Sequence, residues 1–463
     1  MEKVLKIIAN GLLIVLGIKF MEQALKTHKK NKNDKRDKSC PDPDLIIDQC
    51  TSKYIPSQLV VWKKPGVSDI EFEQWKQDNL QKYSGLLVKK LCKYCDDSLE
   101  LWEGDNVSTL ISEKVAGTGS TSKGLPPSGG GDAIAFFTYN LIIDLPEQHA
   151  CIPKGDNDLT LEARPSLSNP PVLVAVFDTG LYPAIKARYT NVVNSCLRDG
   201  GLGWNFAYKN DVTDDDYPSS HGSAVTKFII DQETIYGQQK INILPVKIHN
   251  DHGKSDLFSV LCGFAYAANC GAKIVNASFG FYASKDAEAP AILAQFVKKH
   301  LTDNNILLIA AAGNTNTDET IGQFNSEKIR NLDYHPFFPA SLSKKFENVL
   351  AITTISIANG KVSPSQNFSN TIVDIGVDCD TEVDNDYRFI DPLGRGTSII
   401  GSSYATPIVA GKIAQHYNAL MSAMPGTINK SVLLNEMKNL RLIETDLRFN
   451  GYIKDGNCSK KGS

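Results

Sequence analysis

The stretch Gly401-Ser402-Ser403-Tyr404-Ala405-Thr406-Pro407-Ile408-Val409-Ala410-Gly411 governs how the rest of the chain is interpreted. It begins with small and hydroxyl-bearing residues, and a largely apolar run follows it up to Leu420. This order predicts a buried helix with the hydroxyl of Ser403 in its first turn. We expect Pro407 to belong to that turn as well, because the N–H groups there have no intrahelical partner. A serine at such a position usually only caps the helix, so the residues upstream determine whether Ser403 does more.

The overall composition is that of a globular protein. The chain has 463 residues, of which 42% are hydrophobic, and this is enough for a sizeable core. The length predicts two domains, or one large domain with an appendage. The net charge of −3 argues against a nucleic-acid partner that is bound through its phosphates.

Residues 1–40 differ from the rest of the chain. Two lysines precede an apolar run over residues 7–18, and a basic run occupies residues 28–38. The charged start and apolar centre resemble a signal peptide, and the run is short for a membrane span of about 20 residues. Because no clear cleavage site follows, an uncleaved membrane anchor is the alternative. We expect a secreted or membrane-associated protein, although the basic run favours the cytoplasmic side of a membrane.

The ten cysteines leave two interpretations open. An even number in a chain with an export-like leader permits disulfides, and the alternative is a set of scattered buried thiols. The pair Cys92-x-x-Cys95 has no second such pair and no pair of histidines nearby, so it does not predict a zinc site.

Residues 55–147 predict a small α+β domain. Strand-like stretches flank a helical pattern over residues 69–80, and a hairpin-like stretch follows over residues 86–101. The predicted order is β, α, β, β, loop, β, and residues 106–115 could supply a second helix. The polar segment 148–170, which has prolines at its end, predicts a linker.

From Val172 onward the pattern becomes that of an α/β domain, predicted over residues 171–450. Continuous apolar runs, which are typical of strands buried on both faces of a parallel sheet, alternate with helical stretches. The predicted strands cover residues 172–177, 241–248, 273–277 and 306–312, and the predicted helices cover residues 223–232, 257–269 and 289–300. We expect a mostly parallel sheet with helices on both faces and with its chemistry at the carboxyl ends of the strands.

Polar residues stand at the boundaries of these elements, each beside small residues. They are Asp178 after the first strand, His221 at the start of a helix, Asn314 after another strand, and Ser278 in the segment Ser278-Phe279-Gly280. Singly, each has a plain structural explanation as a turn cap, a surface histidine, a turn asparagine or a strand-to-loop turn. Together with Ser403 they form the set that a serine nucleophile needs, namely a base, an orienting carboxylate and an oxyanion donor.

The motifs that carry these residues resemble those of the subtilisin-like serine peptidases, in that family's order of Asp, His, Asn and Ser. They are Val174-Ala-Val-Phe-Asp178-Thr-Gly180, His221-Gly-Ser-Ala-Val225 with Gly203-Trp-Asn-Phe206 before it, Ile309-Ala-Ala-Ala-Gly-Asn314, and Ser402-Ser403-Tyr-Ala-Thr-Pro-Ile-Val-Ala-Gly411. The resemblance covers roughly residues 172–445 and implies a subtilisin-like fold and a serine endopeptidase.

The sequence departs from the family pattern at several positions. Ser402 stands where the family usually has threonine, and the triplet Gly396-Thr397-Ser398 could be mistaken for the serine motif. Only Ser403 is followed by the proline and the small residues of that motif, so we place the nucleophile there. Ala224 replaces a common second histidine, and Tyr404 replaces a smaller or sulfur-bearing side chain.

The resemblance also implies roles for the residues. Asp178, His221 and Ser403 would form the triad, with Asn314 in the oxyanion hole. The segments that would bind a protein or peptide substrate are Ser278, Phe279 and Gly280 for its backbone, and Ala311, Ala312 and Gly313 for its side-chain pocket. No cofactor or metal is predicted. Residues 211–216 are a candidate for calcium, but we interpret them as a solvated acidic loop.

Many members of the family carry an N-terminal propeptide, so residues 55–147 would be a ferredoxin-like propeptide that inhibits the site of a self-processed precursor. An unrelated adaptor domain is the alternative. Two other functions stay open as alternatives, a peptide-binding pseudoenzyme and an α/β esterase or lipase. The esterase would need a Gly-x-Ser-x-Gly motif and the order Ser, acid, His, and Ser403 meets neither condition.

Overall fold

A computed structural model of the chain describes residues 53–96, 98–116, 129–145, 171–183, 203–218, 220–236, 240–283, 288–314, 330–356, 362, 365–380, 387–390, 396–397, 401–440, 442, 452–454 and 458–460. The predicted leader over residues 1–40, the predicted linker over residues 148–170 and Ser398 lie outside this set. Within it, no helix has both the length and the apolar composition that crossing a bilayer requires.

The N-terminal part of the described chain forms an α+β unit. Its elements are β1 (Tyr54–Lys63), α1 (Asp69–Lys82), β2 (Leu87–Leu91), β3 (Leu99–Glu103), α2 (Val107–Ala116), β4 (Gly129–Gly131) and β5 (Ala135–Asp144). The segment that the sequence left open is therefore a second helix, α2. The start of α1 is fixed by a capping box, because the Ser68 hydroxyl accepts the Glu71 N–H and the Glu71 carboxylate accepts the Ser68 N–H.

The strands of this unit form an antiparallel sheet in the order β2-β3-β1-β5-β4. β1 and β5 lie side by side at its centre, which together with the two helices is the ferredoxin-like arrangement that we expected. One face of the sheet packs Leu59 and Val61 against Phe72, Trp75 and other apolar residues of the helical side. The opposite face of the sheet is not covered by α1 or α2, so it packs against another part of the chain.

The remaining chain is organised around a second sheet. The strands of this part of the chain, eight of which form that sheet, are β6 (Val172–Asp178), β7 (Trp204–Asn205), β8 (Ile241–Lys247), β9 (Lys254–Asp256), β10 (Ile274–Ala277), β11 (Phe281–Tyr282), β12 (Leu307–Ala311), β13 (Phe337–Phe338), β14 (Val349–Ser356), β15 (Ile375–Asp380), β16 (Tyr387–Ile390), β17 (Gly396–Thr397), β18 (Tyr452–Lys454) and β19 (Cys458–Lys460). Its helices are α3 (His221–Tyr236), α4 (Leu257–Asn269), α5 (Glu288–Phe296), α6 (Ser402–Gln415), α7 (Tyr417–Ser422) and α8 (Lys430–Asn439), with a π-helical turn (Val297–Thr302) after α5 and a 3-10 helix (Ala340–Lys344).

The second sheet runs in the order β18-β15-β14-β12-β10-β6-β8-β7, and its described strand pairs are all parallel. The four strands that the apolar runs predicted are confirmed, whereas β14 and β15 were not predicted. In register, Ala277 of β10 pairs with Phe177 of β6 and with Ala310 of β12. The carboxyl ends of these three strands therefore lie next to one another.

Helices cover both faces of this sheet, as the continuous apolar strands predicted. On one face Val174 and Ile309 belong to the core that includes α3 and α6. On the other face Phe177 and Leu308 belong to the core that includes α4 and α5. α4 is buried along eleven consecutive residues, Leu257–Ala267, so it has almost no surface facing water.

The partner of the open face of the N-terminal sheet is the pair α4 and α5. Val60, Leu99 and Leu101 share one apolar core with these helices, and the ring centroids of Trp62 and Phe296 lie 4.5 Å apart. The contact also continues a β-ladder, because β5 pairs antiparallel with β9. Burial and backbone pairing thus hold the two units together.

A disulfide between Cys92 and Cys262 joins the β2–β3 connection to the middle of α4. Of the two interpretations left open for the cysteines, disulfide bonding is correct for this pair. It is a covalent link between the N-terminal unit and the α/β unit.

Candidate active site

Asp178 and His221 meet in a buried hydrogen bond. Asp178 is the last residue of β6, and its Oδ1 lies 2.7 Å from the Nδ1 of His221, the first residue of α3. The same oxygen accepts the N–H of Thr179 at 2.8 Å. α3 can start this close to the strand end because Gly222 has no Cβ, which would lie 2.4 Å from the carbonyl oxygen of Gly180.

This contact fixes the tautomer of a neutral His221 ring. A carboxylate only accepts, so Nδ1 is the nitrogen that donates to Asp178, and in the neutral ring Nε2 is then the accepting nitrogen. Nε2 is buried, and no described residue hydrogen-bonds to it. The ring of Tyr404, the residue after Ser403, has its centroid 5.8 Å from that of His221. An accepting nitrogen is therefore available beside the start of α6.

The acidic residues before His221 are used structurally, which corrects the interpretation of residues 211–216 as a wholly solvated loop. Asp215 is buried and its Oδ2 accepts from the Ser223 N–H at 2.9 Å and from the Ser223 hydroxyl at 2.7 Å. Burial raises the pKa of Asp215, although these hydrogen bonds oppose the shift. Asp216 accepts from the buried Lys247 ammonium at 2.6 Å. Both carboxylates anchor the loop that leads into α3.

Ser403 lies in the first turn of α6, as predicted, and it exchanges hydrogen bonds with Ser278. The Ser403 hydroxyl donates to the Ser278 carbonyl at 3.0 Å, and the Ser278 hydroxyl donates to the Ser403 carbonyl at 2.8 Å. The helix N-cap is Gly401. The segment after β10 is thereby tied to the start of α6 in both directions.

Pro407 lies inside α6 and not in its first turn, which corrects our prediction. In an α-helix the N–H of residue 407 would bond to the carbonyl of Ser403, but proline has no N–H. The Ser278 hydroxyl donates to that same carbonyl. Ser278 therefore replaces the helical donor that Pro407 lacks.

Asn314 follows β12 and is oriented by Ser402. The Asn314 Oδ1 accepts from the Ser402 N–H and from the Ser402 hydroxyl, both at 3.1 Å. A backbone N–H only donates, so this atom is the amide oxygen and the NH₂ group points elsewhere. Gly401, with φ +120°, leaves room for that NH₂, because a Cβ there would lie 2.8 Å from Nδ2. The amide is thus held with its donor side away from Ser402.

The two predicted substrate segments lie side by side, because β10 and β12 are neighbours. Ser278-Phe279-Gly280 follows β10, while Ala311 ends β12 and Ala312 and Gly313 follow it. Phe337 packs on both segments, since a Cβ on Gly280 would lie 2.3 Å from its ring and one on Gly313 would lie 2.8 Å from it. The Ala312 carbonyl accepts from the Asn367 amide at 2.8 Å. Glycine is required at both positions by this close approach.

His249 is a neighbour of the site that the sequence interpretation missed. It follows β8, its N–H donates to the Asp178 carbonyl at 3.2 Å, and its ring contacts Phe279 edge-on at 5.5 Å between centroids. The ring is fully buried, and neither of its nitrogens has a hydrogen-bond partner among the described residues. Burial lowers the pKa of His249 to about 3. The sequence contained one signal that could have indicated His249, namely a polar residue just after a predicted buried strand.

Comparison with known proteins identifies the family. The profile of the subtilase family, peptidase S8, matches residues 170–452, well over half of the chain. The chain belongs to the subtilase family. The subtilase profile begins just before β6 and ends in β18, so it covers the α/β unit that contains Asp178, His221, Asn314 and Ser403.

A comparison with an individual protein covers much less of the chain than the family profile does. The subtilase is 33% identical over 113 residues to a cell wall-associated protease of Bacillus subtilis (strain 168), which is 23% of this chain and 12% of that protein. The chain therefore matches only a small part of that relative's length.

Solved structures give weaker likenesses. An epidermin leader peptide processing serine protease from Staphylococcus aureus aligns with a TM-score of 0.47 and 14% identity, over 86% of this chain and 96% of that chain. A lanthipeptide protease aligns with a TM-score of 0.42 and 18% identity, over 61% and 85%. The family assignment rests on the sequence match and not on these values.

Proposed function

We propose that this subtilase is a serine endopeptidase whose nucleophile is Ser403. The observation that carries the proposal is the buried hydrogen bond between Asp178 and His221, which leaves Nε2 of His221 as an acceptor beside the start of α6. Ser403 attacks a peptide carbonyl while Nε2 takes its proton, and the imidazolium then protonates the leaving amine. To do so, the Ser403 hydroxyl transfers its donation from the Ser278 carbonyl to Nε2.

Asn314 stabilises the oxyanion of the tetrahedral intermediate together with the N–H of Ser403. The support is the orientation of the amide, because its oxygen is occupied by Ser402 and its NH₂ is directed elsewhere. Ser402 is therefore a positioning residue, and its hydroxyl performs this task where the family usually has threonine. Donors that are already oriented cost no reorganisation as the charge develops.

A protein or peptide substrate binds as an extended strand along Ser278-Phe279-Gly280, and its side chain enters the pocket beside Ala311, Ala312 and Gly313. The support is the adjacent position of the two segments after β10 and β12. Extended peptides commonly add to an exposed backbone edge in this way. The small residues of the second segment leave space for a side chain.

The N-terminal unit, residues 55–147, acts as an inhibitory propeptide in a self-processed precursor, followed by a linker over residues 148–170 and the catalytic unit over residues 171–450. The support is the pairing of β5 with β9, which continues as the Leu145 N–H donating to the Gly253 carbonyl at 2.9 Å. β9 follows closely on His249, so this strand leads the chain toward the site. The disulfide supports an exported or membrane-attached enzyme, with residues 1–40 as signal peptide or anchor.

The test is the variant Ser403→Ala, with Ser398→Ala as the matched control. Peptide hydrolysis should fall about 10⁶-fold in Ser403→Ala, which is the loss known for the nucleophile of a subtilisin. Ser398→Ala should keep full activity. A fluorophosphonate probe should label the wild type at Ser403. Hydrolysis that survives Ser403→Ala refutes the assignment, and a folded wild type that neither reacts nor hydrolyses is a peptide-binding pseudoenzyme.

A further inference from the structure

Three cysteine sulfurs meet between the N-terminal sheet and α4. Cys92 forms the disulfide with Cys262, and the Sγ of Cys95 lies 2.7 Å from that of Cys92. The three sulfurs all lie within 4.8 Å of one another, and all three residues are buried. Neither the proposed catalytic steps nor substrate binding uses this cluster.

The local chain places Cys92 between a near partner and a distant one. Cys95 donates its N–H to the Cys92 carbonyl at 3.0 Å, so the two cysteines are held on one tight turn. Cys262 is 170 residues further along the chain, in the middle of α4. The near pairing stays within the N-terminal unit, whereas the distant pairing links it to the catalytic unit.

We propose that these cysteines form a thiol–disulfide exchange site in which Cys92 pairs either with Cys262 or with Cys95. The thiolate of Cys95 attacks the Sγ of Cys92, the Cys92–Cys95 bond forms, and the Cys92–Cys262 bond breaks. The electron pair leaves on the Cys262 sulfur, which takes up the proton that Cys95 lost. One disulfide and one thiol are present before and after, so no external oxidant or reductant is needed.

Non-covalent contacts keep the sulfurs together in both states. The Tyr94 ring, between the two near cysteines, has its centroid 4.8 Å from that of Tyr266 on α4. The Tyr94 carbonyl also accepts from the Asn269 side chain at 3.2 Å. Because the sulfurs are buried, an internal thiol reaches the disulfide more readily than a thiol in solution. Exchange therefore makes or breaks the covalent link at this point without requiring the two units to separate.

The consequence does not depend on the peptidase activity. With Cys92 paired to Cys262, the N-terminal unit stays attached to the catalytic unit even after the chain between them is cut. With Cys92 paired to Cys95, this disulfide no longer joins the two units, and burial, the contacts of Tyr94 with α4 and the β5–β9 pairing remain. The site thus controls one covalent link that retains the N-terminal unit after the connecting segment is cut.

The test maps the disulfides of the intact full-length protein. Native wild type is held at about pH 8, where thiolates form readily, then quenched in acid, denatured and alkylated with N-ethylmaleimide. Trypsin cuts after Lys93 and so separates Cys92, in peptide 91–93, from Cys95, in peptide 94–114. A further chymotryptic cut after Phe264 separates Cys262 from Cys270. Each pairing then gives its own linked peptides.

The expected result is that peptide 91–93 is linked to both partners in the wild type, with the maleimide on Cys262 in one fraction and on Cys95 in the other. Cys95→Ser should give the Cys92–Cys262 pairing alone, and Cys262→Ser should give Cys92–Cys95 alone, each with the thermal melt of a folded protein. Wild type that shows only Cys92–Cys262 after prolonged incubation overturns the proposal. So does bound zinc with all three cysteines alkylated, which would make the cluster a metal site.

Discussion

The candidate active site and the interface between the two units are built from different interactions. At the site, Asp178, His221, Asn314 and Ser403 are held by hydrogen bonds of fixed direction from strand ends and helix starts. At the interface, the main contributors are apolar side chains such as Trp62 and Phe296, which pack without such direction. Hydrogen bonds require particular residue types at particular places, whereas burial requires only apolar area.

This difference explains which contacts can be found in a sequence. A site that depends on the direction of hydrogen bonds is recognisable in the sequence as motifs, because few substitutions keep its geometry. An interface that depends on burial is visible in the sequence only as apolar residues, and these do not indicate which segment they pack against. The same difference predicts that damage to the interface lowers stability, whereas damage to the site lowers activity and leaves stability nearly unchanged.

The largest effect is expected for Trp62→Ala at the interface. Trp62 is 1% exposed and packs between the rings of Phe136 and Phe296. Its truncation should lower the free energy of unfolding by about 3–5 kcal/mol, measured by urea denaturation. The control is Ile70→Ala, because Ile70 is 83% exposed and should be nearly neutral. If Trp62→Ala lowered the free energy of unfolding as little as Ile70→Ala does, the packing of Trp62 at the interface would contribute no stability.

Asn314→Ala is the converse change, made at the site. Removing the amide should lower kcat by about 10²–10³-fold, the loss known for the corresponding donor of a subtilisin and carried over here. KM and the urea midpoint should change little. The exposed Asn439 provides the control Asn439→Ala, which should leave kcat unaltered. A large rise in KM with constant kcat would contradict the oxyanion role.

His249 lies beside the site but is buried among apolar groups, so it tests how much an unpaired polar ring in such surroundings affects stability. The pKa of His249 is lowered to about 3 in the folded protein, from an ordinary value of 6.5. Unfolding therefore takes up a proton below about pH 6.5, and stability that is present above this pH is lost as the pH falls toward 3. From pH 6.5 to 5 the loss from this ring is about 2 kcal/mol.

His249→Leu should remove that share of the pH dependence, so its melting temperature should fall less than that of the wild type between pH 7 and pH 5. The exposed His252 gives the control His252→Leu, which should melt in parallel with the wild type. His300, whose pKa burial lowers to about 4, keeps a similar dependence in all three proteins. A wild-type slope retained in His249→Leu would refute the assignment.

The smallest effect concerns the hydrogen bond from Ser278 to the Ser403 carbonyl. Ser278→Ala leaves that carbonyl without its donor, which should lower the free energy of unfolding by about 1 kcal/mol. Hydrolysis should slow as well, because this hydrogen bond helps to hold the turn that carries Ser403. In a Pro407→Ala background the helix regains the N–H of residue 407, so the same Ser278→Ala change should cost less. A double-mutant cycle measures the difference. Additive effects would show that the two residues do not act on the same carbonyl.

Much of the fold follows from the sequence because its strands and helices carry their own patterns. The four long apolar runs and the helix over residues 257–269 gave the parallel sheet and α4. The motifs also predicted residues that the structure brings together, such as the hydrogen-bonded pair Asp178 and His221, and the position of Ser403 at the start of α6. β14 was missed although Val349–Ser356 is rich in β-branched residues, because no recognisable motif accompanied it. Its place in the sheet follows only from pairing with β12.

Other features could not be predicted because they depend on tertiary contacts. Pro407 was assigned to the first turn of its helix, since the compensating hydroxyl of Ser278 is 129 residues away in sequence and is brought close only by folding. The pairing of Cys92 with Cys262 was equally hidden, because spacing does not determine connectivity. Asp215 was interpreted as solvated because its partner, Ser223, has no charge to signal the contact.

The burial of α4 on all sides has a practical consequence for making the protein. The eleven consecutive buried residues Leu257–Ala267 are covered by the parallel sheet on one side and by the N-terminal sheet on the other. A chain that begins at residue 171 would expose the second side, including Phe258, Leu261 and Cys262, as a continuous apolar patch. Patches of this kind promote aggregation. The catalytic unit alone should therefore be poorly soluble, and supplying residues 53–145 as a separate chain should restore soluble material.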